Sequence, residues 1–208
     1  QDEVRKRGFR VVYGDTDSVF VTVGSKNYEE VGSWLAGEIT ESFADFAASF
    51  NAPSHEHLRI EFDKAFKRLV LFGKKRYAGM LTNGEIYTAG IEAKRSDRPA
   101  LQQKTQMAAI KYILETGDID GAFDVIEKNK RLIETKEASI EDVVIPQTIS
   151  KANYVNLPAH VRARNNGIRY LGETFHSNKV RMIWLTGWKT DVIGVAEGNE
   201  RRLEPLYK

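Results

Sequence analysis

The chain has 208 residues, 41% of them hydrophobic and 29% charged, with a formal net charge of +2. That balance excludes a disordered chain and suits a globular protein long enough for one large domain or two small ones. No apolar run approaches a membrane span, the start carries no signal-peptide pattern, and the lack of cysteine excludes a disulfide framework or a thiolate metal site.

The near-neutral total hides a segregation of charge. Six basic residues and no acidic one fall between Lys64 and Gly84: Lys64, Lys67, Arg68, Lys74, Lys75 and Arg76. From Lys151 to the end, ten Lys plus Arg stand against five Asp plus Glu, and the stretch from Asp118 to Asp142 is acidic. Such a distribution suits a protein that grips a polyanion. The chain opens Gln1-Asp2-Glu3 with no initiator Met, as expected of a chain that was trimmed or is part of something longer.

Arg10 to Tyr13 and Ser18 to Val23 are β-branched and aromatic, with Gly14-Asp15-Thr16-Asp17 between them, which predicts a hairpin. Val31, Leu35, Ile39, Phe43, Phe46 and Phe50 then recur at helical spacing, with Asn27 as cap and Asn51-Ala52-Pro53-Ser54 as stop. Leu58 to Phe72 reads as strands, with Leu58, Ile60 and Phe62 on one face and Arg59, Glu61 and Asp63 on the other. Asn83-Gly84 predicts a hairpin turn before Glu85-Ile86-Tyr87. After Lys94-Arg95-Ser96-Asp97 the character becomes helical. Leu101 to Thr116 has Pro99 in its first turn and Gly117 past its end. A second helix from Asp118 places Ile119, Ala122, Ile126 and Ile133 on one face, and Ser139 starts a third. Strand character returns at Val180 to Trp184 and Val192 to Val195. The expected fold class is α+β, with an antiparallel hairpin sheet and packed helix up to residue 95 and a mostly helical module over residues 96–208.

Three motifs carry the chemistry. The turn Gly14-Asp15-Thr16-Asp17 sets two carboxylates two residues apart on a β stem, where they can present hard oxygen ligands to a divalent cation. A bare Asp-x-Asp is more often a solvated turn, because Asp and Gly favour turns for local reasons. Glu61 sits on the polar face of its segment, which pattern alone reads as a half-exposed strand. Lys74-Lys75-Arg76-Tyr77 sets three cations side by side, usually a solvated charge run. Opposite a nucleic acid, such lysines meet phosphates and donate to minor-groove acceptors shared by all base pairs. His55, His57, His160 and His176 carry no assigned chemistry, and Trp184 and Trp188 read as core or interface.

Tyr13-Gly14-Asp15-Thr16-Asp17-Ser18 resembles the third palm motif of family B DNA polymerases. The resemblance implies that Asp17 is the principal ligand of two catalytic Mg²⁺ ions and that Asp15 is a supporting carboxylate. It implies that Tyr13, Gly14, Thr16 and Ser18 shape the turn near the primer end. Glu61 matches the central acid of the family's acidic strand, which the resemblance places with the metal carboxylates, although Arg59 stands where many members have another acid. Lys74, Lys75, Arg76 and Tyr77 match the family's grip on the primer–template minor groove, although Gly73 replaces a common Thr. Lys94-Arg95-Ser96-Asp97 resembles the arginine-containing stretch at the palm–thumb junction, with Arg95 either a DNA contact or part of a charged linker capped by Asp97. Gln147 to Lys151 and His160-Val161 resemble thumb segments, with Lys151 within reach of phosphate.

The resemblance covers nearly the whole chain but only the C-terminal part of such an enzyme. The strand carrying the second metal Asp, the finger helix that meets the triphosphate and the exonuclease acids have no counterpart in this sequence. The expectation is therefore the small subunit of a split archaeal polymerase, or a C-terminal fragment of one. Its partners would be a large subunit bearing exonuclease, fingers and remaining palm, together with primer–template DNA and dNTP. It would work in the cytoplasm on the nucleoid, without a membrane. The alternatives are a non-catalytic DNA-binding accessory protein with a palm-like fold and a stand-alone metal-dependent phosphoesterase using Asp15, Asp17 and Glu61.

Overall fold

The computed structural model describes residues 1–24, 27–51 and 57–207. The predicted helix stop at Ala52 to Ser54, and His55, lie outside the described residues. The fold is α+β with small antiparallel sheets, and it divides into two compact units, Gln1–Gly90 and Ile91–Lys208.

The first unit opens with a short helix, α1 (Asp2–Lys6), that the sequence reading did not foresee. The hairpin follows as β1 (Arg10–Asp15) and β2 (Ser18–Thr22), and the long helix as α2 (Tyr28–Ser49). Asn27 stands at the cap position of α2, where its side-chain Nδ2 donates to Glu30 Oε2 at 3.0 Å. Leu35 and Ile39 of α2 and Val4 of α1 form the core here, with Val11, Val19 and Val21 of the hairpin packed against them. Three further strands, β3 (Phe66–Gly73), β4 (Arg76–Leu81) and β5 (Ile86–Ala89), make an antiparallel sheet in sequence order. The turn at Asn83-Gly84 forms as expected: Gly84 has φ +92, and Asn83 Oδ1 accepts from the Glu85 amide at 3.0 Å.

The strand expected over Leu58 to Asp63 does not form among the described residues. Its alternation survives, with Ile60 and Phe62 half-buried and Arg59, Glu61 and Asp63 exposed. What it lacks is a strand neighbour. Thr40 of α2 takes that place: the Ile60 amide donates to Thr40 Oγ1 at 3.0 Å, and the hydroxyl donates back to Ile60 O at 3.3 Å. Gly32 lets the Phe62 ring lie directly on the helix, where a Cβ would come within 2.4 Å of that ring.

The second unit pairs α3 (Ala100–Thr116) with α4 (Asp120–Glu134), and Gly117 ends α3 at φ +82. Asp118 caps α4, its Oδ1 accepting from the Gly121 amide at 3.1 Å. The apolar face of α4 is rotated from the one expected. Ala122 is buried, with Val125 and Leu132 half-buried, while Ile119, Ile126 and Ile133 are exposed. Ser139 caps α5 (Ile140–Val143), as predicted. A three-stranded sheet follows in the order β6 (Ile145–Thr148), β7 (Lys179–Trp184), β8 (Val192–Val195). Trp188 packs in the core of this unit, its ring 5.5 Å from that of Tyr170, and Trp184 is exposed. A last short helix, α7 (Glu204–Tyr207), ends the described chain.

Besides the short α7, strand β6 and helix α6 (Ala159–Leu171) of this unit were missed. Helix α6 lies across β8, and Gly167 is the reason it can approach so closely. A Cβ there would stand 1.9 Å from Gly194 O of β8. At the far end of α6 the buried carboxylate of Glu173 gathers the chain, accepting from the Ala196 amide at 3.3 Å, from Asn199 Nδ2 at 2.5 Å and from the Arg202 guanidinium. Gly167→Ala is expected to destabilise the chain by about 2 kcal/mol or more, because the clash is with backbone rather than a movable side chain. A urea unfolding midpoint that stayed put would show that the helix–sheet contact is looser than this.

Candidate functional site

The β1–β2 hairpin closes with two residues, Thr16 and Asp17, between the paired Asp15 and Ser18. Thr16 has φ +44, a left-handed conformation that strains a β-branched residue. Ser18 Oγ donates to Asp15 O at 3.1 Å, and Thr16 Oγ1 donates to Asp15 Oδ1 at 3.2 Å. Asp15 is thereby held half-buried. Asp17 is exposed, and its carboxylate has no hydrogen bond or ion pair among the described residues. Gly14 leaves room across the strands, since a Cβ there would approach Ser18 O to 3.3 Å.

A bulge decides which way this turn faces. The register runs Val11 to Val21 and then Tyr13 to Phe20, so Val12 is the extra residue. Strict alternation would put Val11 and Tyr13 on one face. With the bulge between them, Val11 turns to the α2 core while Tyr13 turns to the β3–β5 sheet.

There Tyr13 meets the second motif. Lys74 and Lys75 form the β3–β4 turn, with Lys75 at φ +59. The Lys75 amide donates to the Tyr13 hydroxyl at 2.8 Å, and Lys75 Nζ lies 3.5 Å from Asp15 Oδ2. Behind this contact five rings join the two sheets. Tyr13 lies 5.4 Å from Phe20 and 6.3 Å from Tyr77, Phe20 lies 5.1 Å from Tyr77 and 6.4 Å from Phe66, and Tyr87 lies about 6 Å from both Phe66 and Tyr77. Offset and edge-on pairs of this kind add about 1 kcal/mol each beyond area burial. Burial, with the neighbouring Tyr87 adding to it, pushes the Tyr77 phenol above its ordinary range. Arg76 is exposed on the same turn.

An open cavity of about 1050 Å³ lies beside the Asp15–Asp17 turn, bounded by α1, α2 and residues 57–60. Glu38, Glu41 and Asp45 of α2 line it together with Asp15, Asp17, His57 and Arg59. These helix acids were not anticipated, although their spacing along α2 is a sequence signal for one face. Glu61 is not among the lining residues. It is exposed and paired with Arg59 Nε at 3.2 Å. Among the described residues no three His, Cys, Asp or Glu side chains gather closely enough to hold a metal ion. Asp15 and Asp17 are the right chemistry for Mg²⁺, which takes hard oxygen ligands, but they fit it as a partial donor set.

In the second unit Arg95 makes a two-pronged pair with Asp97, Nε to Oδ1 at 2.9 Å and Nη2 to Oδ2 at 2.7 Å. Its guanidinium holds the Asp97 carboxyl below the usual carboxylate range. Lys151 is exposed, and its amide donates to the Tyr154 hydroxyl at 3.2 Å. The His160 ring stands edge-on to Tyr154 at 6.0 Å.

The profile of DNA polymerase family B matches residues 2–167 of this sequence. The chain belongs to DNA polymerase family B. It is 31% identical over 169 residues to the DNA polymerase of Archaeoglobus fulgidus, covering 78% of this chain and 20% of that protein. It is 28% identical to the DNA polymerase catalytic subunit of Saimiriine herpesvirus 2, over 69% of this chain and 16% of that protein. The family B DNA polymerase of Pyrobaculum calidifontis has a similar fold, with a TM-score of 0.62 at 22% identity over 93% of this chain and 24% of that one. The chain thus spans about a fifth of the length of these relatives.

Two measurements test this geometry. Tyr13→Phe removes the acceptor for the Lys75 amide and is expected to cost about 1 kcal/mol. Amide exchange at Lys75 should then speed up several-fold, and an unchanged rate would deny the contact. Arg95→Ala should move the Asp97 carboxyl titration, followed by carbon NMR, upward toward its ordinary range.

Proposed function

We propose that this chain supplies the Asp-Thr-Asp turn and the primer–template grip of a family B DNA-directed DNA polymerase, as its small subunit or C-terminal part. What carries this reading is the coupling of two turns in one unit: the acid-bearing turn is bonded through Tyr13 to the Lys74–Tyr77 turn. Membership in the family supports it.

In this reading residues up to about 95 form the C-terminal half of the palm and residues beyond form the thumb. Asp17, exposed and unpaired among the described residues, is the principal metal ligand, with Asp15 beside it. Mg²⁺ held by these carboxylates would supply activation of the primer hydroxyl and charge neutralisation at the triphosphate. Thr16 and Ser18 hold the Asp15 side of the turn, and the strained Thr16 backbone fixes where Asp17 projects. Glu61, exposed and paired with Arg59, is the third metal carboxylate of this reading. Lys74, Lys75 and Arg76 meet phosphates and minor-groove acceptors without reading sequence, and Tyr77 anchors their turn through its ring partners. Arg95 and Lys151 add phosphate contacts from the second unit. The partial donor set calls for an acid from elsewhere, so the working enzyme includes a larger polypeptide carrying exonuclease, fingers and the remaining palm. Primer–template DNA and dNTP are its substrates. No helix among the described residues is long and apolar enough to cross a membrane. In this reading the protein works on the nucleoid in the cytoplasm.

The partial donor set also favours a second reading, a DNA-binding accessory protein that keeps the palm-like fold without catalysis. One experiment separates them. The chain is mixed with the polypeptide from the same genome that carries the complementary polymerase segments, and Mg²⁺-dependent primer extension is measured. Asp17→Ala is expected to lower extension about a hundredfold or more while primer–template affinity changes little. Full extension by the Asp17→Ala complex would select the accessory reading.

A further inference from the structure

Lys75 belongs to both turns. Its backbone is fixed from two sides: the amide donates to Tyr13 OH at 2.8 Å, and its carbonyl lies against Gly90, where a Cβ would come within 2.1 Å of Lys75 O. The left-handed φ of +59 sets the direction of its side chain. From there Nζ stands 3.5 Å from Asp15 Oδ2, with the lysine side chain 72% exposed and the carboxylate 32% exposed. The ammonium therefore sits on the solvent side of a half-buried acid. An ammonium is a compact point charge with no acceptor. Held at a carboxylate oxygen, it occupies the place of a cationic ligand and repels a divalent cation approaching the same group.

We infer that Lys75 is a placeholder cation at Asp15, drawn off by nucleic-acid phosphate, so that polynucleotide and divalent metal bind this chain cooperatively. This rests on the reading of Asp15 and Asp17 as metal ligands. Phosphate competes for the lysine from solvent, where most of its side chain lies. Each phosphate contact that removes Nζ from Asp15 returns a full negative charge to the turn. Thermodynamic linkage makes the effect reciprocal: metal at Asp15 frees Lys75 and tightens the hold on phosphate by the same factor. An exposed ion pair sets the scale at about two- to fivefold.

The test uses Mn²⁺ as probe, with paramagnetic broadening of the Asp15 and Asp17 amide signals as readout and free Mn²⁺ counted by electron paramagnetic resonance. Wild type, Lys75→Met and Lys75→Arg are titrated with and without a short primer–template duplex. Without duplex, Lys75→Met should lower the Mn²⁺ midpoint two- to fivefold, while Lys75→Arg keeps the wild-type midpoint and controls for the backbone of the turn. Saturating duplex should lower the wild-type midpoint by a similar factor and leave that of Lys75→Met almost where it was. Equal midpoints for wild type and Lys75→Met overturn the inference, as does a duplex that shifts both equally or leaves wild type unmoved. If Mn²⁺ broadens neither Asp15 nor Asp17 in any of the three proteins, the metal reading falls with it.

Discussion

The first unit depends on the extra residue at Val12. A two-stranded hairpin is marginal by itself, and this one has to bury both faces. The bulge lets β1 serve two cores in succession, sending Val11 toward Leu35 and Ile39 of α2 and Tyr13 toward Phe20, Tyr77 and the second sheet. Asp15 then emerges on the Tyr13 side, where Lys75 meets it. Without the bulge, the phase of the strand would carry Tyr13 and Asp15 to the helix face, and the two charged turns would lose their connection. The aromatic cluster follows from the same constraint: the side chains that join the sheets are those the bulge leaves facing them.

The second unit solves a different problem, close approach of helix and sheet. Gly167 removes the one side-chain atom that would hit Gly194 O, and Gly194 in turn clears Ala163 and Val180. The cost is a glycine inside a helix, about 1 kcal/mol relative to alanine. Burial of Val180, Val192 and Ile193 offsets it, since each removes a branched side chain from water. Glu173 closes the same layer with a fully buried carboxylate that is matched by Arg202, Asn199 and the Ala196 amide. A carboxylate so placed is tolerable when paired and hydrogen-bonded, and removal of a partner would leave a buried charge.

These solutions decide what could be seen in the sequence. The hairpin, α2, α3, the caps at Asp118 and Ser139 and the turn at Asn83-Gly84 rest on local periodicity and turn chemistry, and they were legible. Helix α6 was not, because Asn165-Asn166-Gly167 reads as a turn, and only the approach of Gly194 explains a glycine there. Strand β6 hid behind Pro146, which an edge strand accepts and a central one would not. The segment Leu58 to Asp63 misled in the opposite direction: its alternation is real, but alternation reports burial of one face rather than a strand partner. Within the candidate site, the residues of the two motifs were legible as chemistry. The bond between Tyr13 and Lys75 was not, since it spans two hairpins and depends on a bulge.

The state of the two carboxylates now has a physical account. Asp15 has a hydroxyl and an ammonium as partners, whereas Asp17 has neither a hydrogen bond nor an ion pair among the described residues and projects from a strained turn beside three further acids on α2. Arg7 neutralises Glu38 in the same cavity, which Lys6 and Arg59 also line, so the cavity carries both signs of charge. Folding alone gives no reason to keep Thr16 at φ +44, when Asn or Gly would hold the same turn with less strain. The strain at Thr16 and the unneutralised acid beside it at Asp17 bring no stability of their own. Both become favourable if a cation is the missing member of the turn, because a fixed, water-facing carboxylate needs no reorganisation to receive it.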